Sequence, residues 1–247
     1  MKRGLGMKKR GLTIWGCLIL TITASAWELN PFQWRIDGTR ILSRGTHDGF
    51  LEAKDDVAYR QLTIKARVTP QKVSMPTWAT LGVSVREDDR NFWHLALVLS
   101  PEKNGRRALF ELCEMREGKW PSQFDDRLPL HDAVAPNQTW RFGETYELEL
   151  QFSPEQVRGT VRDAAGKTCF DRTFRTHGRP AVQAGMPALR RTGAFQGVFD
   201  QVQVTKKSPV AVQKKPQAFP PYVSDSYVHH VTGTRTGFFH TQQIEGR

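Results

Sequence analysis

The amino-acid sequence predicts an all-β protein whose main domain, residues 27–204, is a two-sheet antiparallel jelly-roll sandwich. Apolar and polar residues alternate with a period of two in several segments, which is typical of strands that bury one face. Turn-forming residues separate these segments at short intervals. The sequence carries no sustained apolar stripe at the 3.6-residue spacing of an amphipathic helix. Many strands with no helices between them favour a sandwich or a jelly roll.

The individual strands follow in order from this alternation. Three stretches place an apolar side chain at every second position, and they lie at 62–68, 81–85 and 146–152. Four stretches rich in charge, glycine or proline predict turns, and they lie at 87–90, 101–105, 153–155 and 163–167. A domain of about 180 residues is large enough to bury a single core, so we expect one domain here.

Residues 1–26 are predicted to be a secretory signal peptide. The first eleven residues carry five Lys or Arg and no acid, residues 12–23 are largely apolar, and Ala24-Ser25-Ala26 matches a small-residue cleavage site. The apolar run is shorter than the ~20 residues of a membrane-spanning helix. We therefore expect the mature chain to begin at Trp27, to be secreted or periplasmic, and to have no membrane association. A retained anchor and lipidation at Cys17 are the weaker alternatives.

The net charge of +11 does not indicate a nucleic-acid-binding protein. Five of these charges lie in the leader, which leaves +6 for the mature chain. Residues 205–247 hold six basic and two acidic residues, a net +4, so residues 27–204 carry only +2 with both signs interspersed. There is no basic helix, RNA-binding aromatic signature or zinc-finger spacing in the sequence, and we predict no nucleic-acid partner.

Two stretches at opposite ends of the main domain resemble concanavalin A-like (laminin G-like) jelly rolls. The first is the hairpin pattern LGVSVREDDRNFWHL at 81–95. The second is GMPALR at 185–190 followed by GVFDQVQV at 197–204, which is similar to the closing strands of that fold. The resemblance covers residues 35–204. It implies the fold and leaves the ligand open, because this fold hosts lectins, hydrolases and interaction modules.

The C-terminal residues 236–247 read as the start of a further domain. Their sequence, TGFFHTQQIEGR, resembles the beginning of the catalytic barrel in agarase-like glycoside hydrolases. The preceding residues, 205–235, mix prolines with charges and are predicted to be an extended linker. The resemblance implies that the sandwich is the N-terminal accessory domain of a glycoside hydrolase whose catalytic barrel is missing from this chain.

The carboxylates of residues 27–204 do not predict a catalytic pair. A retaining glycosidase needs two carboxyl groups about 5–5.5 Å apart on one face. Glu111 and Glu114 are three residues apart, so a regular strand points them to opposite faces. Glu147 and Glu149 share a face, which we interpret as a polar solvent face. His94 has no nucleophile motif nearby. We therefore predict no catalytic residues.

The predicted ligand is a polysaccharide or an oligosaccharide. Sugar binding needs aromatic rings that stack on C–H groups, beside polar side chains that bind hydroxyls. Trp120 lies in the polar stretch Glu117–Pro121 and is the best candidate for an exposed ring, and Trp78 is the second. Four polar strand residues are candidates to line one sheet face, with an ordinary solvent face as the alternative: Arg86, His94, Glu111 and Arg190. No metal or cofactor is predicted.

Two cysteines, Cys113 and Cys169, remain after the leader is removed. Both lie in predicted strands, so they form a candidate disulfide, and two inert thiols are the alternative. Three functions stay open at this point. The sandwich is a non-catalytic sugar-binding accessory domain, a glycoside hydrolase in its own right, or a structural and interaction module without a ligand.

Overall fold

The computed structural model describes residues 19–21, 27, 29–45, 48–54, 57–120, 139–178 and 180–211. The predicted cleavage site after Ala26, the linker beyond residue 211 and the predicted downstream segment 236–247 lie outside the described residues. Thirteen strands are found in the described part of the chain. They are β1 Ile19–Thr21, β2 Trp34–Asp37, β3 Arg40–Ser43, β4 Gly49–Glu52, β5 Val57–Val73, β6 Ala79–Asp88, β7 Asn91–Leu99, β8 Ala108–Met115, β9 Tyr146–Phe152, β10 Gln156–Arg162, β11 Thr168–Arg175, β12 Met186–Thr192 and β13 Phe195–Ala211.

The strands form two antiparallel sheets, as the sequence predicted. The large sheet has the order β11-β10-β9-β5-β13-β3-β2, with β1 also paired to β13. The small sheet has the order β4-β12-β6-β7-β8. Within the described residues the only helical element is a 3₁₀ turn at Glu102–Asn104, and no helix there is long and apolar enough to cross a membrane. The all-β, two-sheet prediction is therefore confirmed.

The core lies between the two sheets and is built by the alternation seen in the sequence. On β9 the four apolar residues are buried, while the intervening Glu147, Glu149 and Gln151 are partly or fully exposed. On β5 the residues from Leu62 to Val68 alternate in the same way. Side chains of a strand point alternately to opposite faces, so each large-sheet strand presents one apolar row to the small sheet.

The small sheet differs from this pattern because it is buried on both faces. Strand β6 is buried from Ala79 to Val85 and β7 from Phe92 to Leu99. The sequence of β7, NFWHLALVL, is an almost continuous apolar run, which is typical of strands covered on both sides. We call the face turned away from the large sheet the outer face. It carries polar side chains that are buried, and these form the candidate site.

The last strand runs further than the sequence predicted. Strand β13 continues to Ala211, past the predicted start of the linker at residue 205, and pairs with β5 as far as Ala211 opposite Val57. Pro209 lies opposite Tyr59 within this pairing. A proline lacks an N–H donor, but it is tolerated where one side of the strand has no neighbouring strand to hydrogen-bond with. Near the start of the chain, β1 pairs with residues 203–205 of the same strand.

The candidate disulfide between Cys113 and Cys169 is not formed, and both residues are free thiols. Cys113 lies on β8 of the small sheet and faces outward, in the same cross-strand position as His94. Cys169 lies on β11 at the edge of the large sheet and packs against the core. The two side chains belong to different sheets and point in different directions, which prevents a bridge.

Gly82 sits at the centre of the outer face, and replacing it with alanine should destabilise the fold. A Cβ there would overlap the Leu95 carbonyl oxygen and lie 2.6 Å from the Ala96 Cα. Both are backbone atoms of the neighbouring strand, so they cannot move aside cheaply. We expect Gly82→Ala to lower the free energy of unfolding by about 1–3 kcal/mol. Urea unfolding of the two proteins measures this, and an unchanged midpoint would contradict it.

Candidate functional site

Cross-strand pairing brings the predicted polar residues together on the outer face. One row across the small sheet runs from Phe50 on β4 through Arg190, Gly82 and Ala96 to Glu111 on β8. The next row places Ser84, His94 and Cys113 side by side, with Glu52 at its far end. Arg190, His94 and Glu111 come from three different strands and were predicted from the sequence to share one face.

These three side chains form one hydrogen-bonded chain, which we call the Arg–His–Glu cluster. The Arg190 guanidinium contacts His94 Nδ1, and His94 Nε2 lies 2.8 Å from Glu111 Oε1. Arginine only donates, so Nδ1 must accept, and the proton of the neutral imidazole is on Nε2, which donates to the carboxylate. His94 and Arg190 are each only 1% exposed, whereas the Glu111 side chain is 13% exposed.

Small residues beneath the cluster explain why Arg190 can reach His94. The two residues belong to strands β12 and β7, and β6 lies between them. Strand β6 presents Gly82 and Ser84 to the outer face at this point, and β7 presents Ala96. None of these three side chains is long enough to block the path of the Arg190 guanidinium to His94. The sequence pattern G-x-S on a buried strand is therefore part of the site.

Aromatic rings surround the Arg190 guanidinium. Its central carbon lies 4.8 Å from the Phe92 ring centroid, 5.4 Å from that of Trp120 and 5.6 Å from that of Phe50. The Trp120 ring also lies 5.4 Å from the His94 ring and meets Phe92 edge-on at 5.8 Å. A desolvated cation beside several aromatic faces is held by cation–π attraction as well as by packing.

Trp120 is less exposed than its polar sequence neighbours predicted. The ring is half-buried against Phe92 and His94 and does not project from a polar turn. The local sequence Glu117–Pro121 is polar, and the contacts that bury the ring come from β7, which is distant in sequence. Trp120 therefore acts as a partial cover over the Arg–His–Glu cluster.

Arg86 lies at the edge of the same group. Its guanidinium contacts Glu52, lies 2.6 Å from Asp89 and stacks at 4.6 Å over the Phe50 ring. Burial lowers the pKa of Arg86, and the carboxylates of Asp89 and Asp88 oppose that effect. Arg86 is thus joined to the cluster through Phe50, at the rim where solvent reaches the outer face.

Trp78 does not join the other predicted residues. It packs against a small apolar group formed by Ala96, Val98 and Leu109. Val98 is six residues from Phe92 along β7, a distance of roughly 20 Å on an extended strand. Trp78 therefore packs at the Val98 half of β7, whereas Trp120 packs at the Phe92 half.

Burial sets the protonation states of the cluster. It lowers the pKa of His94, and the nearby Arg190 charge lowers it further, so the imidazole stays neutral. Burial also lowers the pKa of Arg190 to about 10, which leaves the guanidinium charged at neutral pH. The pKa of the Cys113 thiol is raised well above its ordinary value by burial and by the neighbouring carboxylates. Cys113 is therefore a protonated thiol and not a nucleophile.

His94, Glu111 and Cys113 offer three metal-binding atoms within 4.8 Å of one another. A nitrogen, an oxygen and a sulfur donor at this spacing suit a zinc-like ion. However, both His94 nitrogens are engaged, one by Arg190 and the other by Glu111. A guanidinium in contact with the imidazole also repels a cation. We therefore interpret the group as a hydrogen-bonded cluster and not as a metal centre.

The described carboxylates do not form a catalytic pair. Glu111 faces outward, and Glu114 points to the opposite face beside Trp93. On the outer face Glu52 lies four strands away from Glu111 and so roughly 19 Å distant. Glu52 and Asp89 lie closer together, but both bind the Arg86 guanidinium, and Asp48 interacts electrostatically with Arg190. Hydrolysis with inversion or retention requires about 5–9.5 Å.

Glu147 and Glu149 lie on the solvent face of the large sheet and are neutralised there. Arg162 Nη1 lies 3.2 Å from Glu147 and 3.4 Å from Glu149. Lys65 adds a second cation 2.9 Å from Glu147. These pairs agree with the interpretation of this strand as a polar solvent face.

Two exposed aromatic residues were missed by the sequence analysis. Phe32 is 81% exposed and Phe142 is 48% exposed. Phe142 follows Trp140 and Arg141 and precedes Gly143 in a turn. An aromatic residue between a charged residue and a glycine is a signal that could have identified it, since such a turn offers the ring little burial of its own.

Comparison with known proteins supports the fold and leaves the ligand open. No family model matches the chain, and no curated protein matches it in sequence. Among solved structures, the carbohydrate binding module CBM66 from Bacillus subtilis is 11% identical with a TM-score of 0.50, over 73% of this chain and 96% of that one. The VIP36 exoplasmic/lumenal domain, in a Ca²⁺/Man3GlcNAc-bound form, is 8% identical with a TM-score of 0.51, over 78% and 88%.

The third similar structure is a larger enzyme, of which the match covers only a part. The xylan β-1,4-xylosidase from Bacillus halodurans C-125 is 10% identical with a TM-score of 0.53, over 76% of this chain and 38% of that one. This chain thus spans less than two fifths of the length of the xylosidase. At identities this low, the structural similarity shows only that the chain shares the β-sandwich fold with these proteins.

Proposed function

We propose that the sandwich is a non-catalytic carbohydrate-binding domain. The observation that carries this proposal is the half-buried Trp120 ring, held over the Arg–His–Glu cluster with one carboxylate and one guanidinium at its rim. Sugar sites combine a fixed aromatic surface with a few oriented hydrogen-bonding groups. The Glu111 carboxylate and the Arg86 guanidinium are 13% and 12% exposed, so these are the groups that a bound sugar reaches first.

The buried part of the cluster has a supporting role in this proposal. His94 and Arg190 are too deeply buried to touch a ligand. His94 fixes the orientation of Glu111, and Arg190 fixes both His94 and the aromatic rings. A rim that is held rigid by buried partners loses little side-chain entropy when a ligand binds.

The wider context of the domain is also a proposal. The leader-like residues 1–26 support export to a secreted or periplasmic location. The proline- and charge-rich residues after Ala211 support a linker, and the agarase-like residues 236–247 support a catalytic glycoside hydrolase barrel beyond it. In this arrangement the sandwich holds the enzyme on its polysaccharide substrate. Detection of residues 1–26 in protein recovered from the medium would count against cleavage of the leader after Ala26.

A ligand-free structural module is the second candidate function. The near-complete burial of His94 and Arg190 favours it, because buried polar networks also serve to specify a fold. The hydrolase alternative has less support among the described residues, because the outer-face carboxylates that lie close together, Glu52 and Asp89, are both bound by Arg86.

Removal of the Trp120 ring tests the binding proposal. A stacked ring contributes on the order of 1–3 kcal/mol by analogy with base–aromatic stacking. We therefore expect Trp120→Ala to weaken the affinity for a responsive polysaccharide roughly 5- to 150-fold. The measurement is affinity electrophoresis of the full chain in gels that contain xylan, laminarin, agarose or hydroxyethylcellulose.

Trp78→Ala is the matched control, because Trp78 is also half-buried on the outer face but lies away from the cluster. It should leave the affinity unchanged. Thermal unfolding of both variants checks that the sandwich remains folded, since each loses some buried apolar area. Equal affinities of wild type and Trp120→Ala would place the sugar elsewhere. Retardation of wild type in none of the gels would favour the structural module.

A further inference from the structure

We propose that the turn at 139–145 forms a second sugar-binding subsite, in which the Phe142 ring stacks on a neutral pyranose. The inference rests on the proposed function and places a ligand contact where none was predicted from the sequence. The turn includes Trp140 and leads directly into β9. It is distinct from the Trp120 rim described above.

Phe142 is exposed and yet held in a fixed position. Its ring meets Trp140 edge-on at 5.1 Å and Phe195 at 6.2 Å, while 48% of the residue remains open to solvent. Trp140 itself is anchored, because its indole N–H donates to the carbonyl oxygens of Val98 at 3.1 Å and Leu109 at 3.0 Å. The ring is thus presented by the core and loses little freedom when a ligand stacks on it.

Polar groups beside the ring suit the hydroxyls of a sugar. Arg141 and Glu144 lie 3.5 Å apart, with side chains 78% and 50% exposed. The Tyr146 hydroxyl donates to Glu144 Oε2 at 2.7 Å and accepts from the Arg141 backbone N–H at 3.0 Å. A donor and an acceptor therefore stand beside an aromatic surface, which is the combination that sugar recognition needs.

The backbone leaves space next to the ring. Gly143 has φ +81°, and a Cβ there would meet nothing within 4 Å. The turn is tied down on its other side, where the Gly143 N–H donates to the Pro70 carbonyl at 2.8 Å. The side of the turn beside Phe142 is therefore open, so a sugar ring can approach without a rearrangement of the backbone.

The charges favour a neutral sugar over an acidic one. Arg141 and Glu144 neutralise one another across 3.5 Å. A uronate or a sulfate stacked on Phe142 therefore gains no net attraction, because the Glu144 carboxylate offsets the attraction of the Arg141 guanidinium. We therefore assign neutral hexose or pentose polymers as the ligand class of this subsite.

The position of the turn separates it from the Trp120 rim. Trp140 is anchored at Val98 and Leu109, whereas Trp120 packs against Phe92 at the other end of β7. Roughly 20 Å of extended strand lies between Phe92 and Val98. The effects of substitutions at the two positions on the affinity should therefore be independent.

The test replaces Phe142 with leucine and, separately, with tryptophan in the full chain. Leucine keeps an apolar side chain but lacks a π face, and tryptophan keeps a larger one. Affinity electrophoresis against xylan, laminarin, hydroxyethylcellulose and the acidic polymer alginate should show a loss of at least about fivefold for Phe142→Leu on a neutral polymer. Phe142→Trp should retain the wild-type affinity or exceed it.

Four outcomes would overturn the subsite. They are wild-type affinity in Phe142→Leu, an equal loss in both variants, binding of wild type to alginate alone, and a lowered unfolding midpoint that accounts for the loss in Phe142→Leu. If Trp120→Ala weakens binding while Phe142→Leu does not, the subsite is wrong and the proposed function stands. If wild type binds none of the polymers, both are wrong.

Discussion

Replacing Arg190 by alanine is expected to lower the free energy of unfolding by about 3–5 kcal/mol. The guanidinium contacts the His94 imidazole and lies within 6 Å of the centroids of Phe50, Phe92 and Trp120. Its removal leaves a cavity among these rings and a buried His94 nitrogen without its donor. Removal of one partner from a buried charged network is costly because the other groups stay desolvated.

Arg158→Ala is the matched control for this prediction. Arg158 binds a carboxylate through two nitrogens, at 3.0 Å and 2.6 Å from Asp171, on the exposed face of the large sheet. Exposed ion pairs contribute little to stability, so this variant should unfold close to wild type. Urea denaturation measures both. If the Arg190 variant lost no more stability than the Arg158 variant, the cluster would not organise the outer face.

Glu114→Gln is expected to stabilise the protein by roughly 3 kcal/mol above pH 7. Glu114 is 3% exposed, and burial raises its pKa from 4.5 to about 7, although Arg116 and a backbone N–H at Ala181 act in the opposite direction. Between these two values the unfolded chain is ionised while the folded protein binds a proton. The wild type therefore loses stability as the pH rises from 4.5 to 7, at about 1.36 kcal/mol per pH unit, and is level above that range.

Glutamine does not titrate, so the difference between Glu114→Gln and wild type isolates this residue. The difference in the free energy of unfolding between the variant and wild type should be small at pH 4, grow between pH 4.5 and pH 7, and remain constant above pH 7. His94 changes the free energy of unfolding with pH in the opposite direction. Its pKa is lowered in the folded protein, so below about pH 6.5 the unfolded chain binds a proton that the folded protein does not bind. That contribution is present in both proteins and cancels. A difference that does not vary with pH would show that Glu114 is ionised in the fold.

Local patterns in the sequence were enough to predict the sheets of this protein. The alternation at Leu62–Val68 and Tyr146–Phe152 reports directly on strands with one buried face, and both segments are strands. Arg86, His94, Glu111 and Arg190 were identified from the sequence only as polar residues on predicted strands that are candidates for one face. Strand register then decided that the side chains meet, and register is a property of the whole sheet.

The rest depended on contacts between distant parts of the chain. The burial of Trp120 is produced by Phe92 and His94, and the support of Phe142 by Phe195. The cysteine pairing failed because Cys113 faces away from the large sheet, which carries Cys169. No local pattern around these residues encodes such contacts, and the polar neighbours of Trp120 suggested the opposite of what packing produces.

The central claim is that the sandwich binds a polysaccharide without cleaving it, and one measurement on a single sample tests both parts. The full chain is incubated with xylan, laminarin, agarose and hydroxyethylcellulose, and bound protein and released reducing ends are assayed together. We predict that protein is retained on at least one neutral polymer and that no reducing sugar appears, because the close carboxylate pairs, Glu52/Asp89 and Glu147/Glu149, are each bound by an arginine. Release of reducing sugar, or retention on none of the polymers, would contradict the claim.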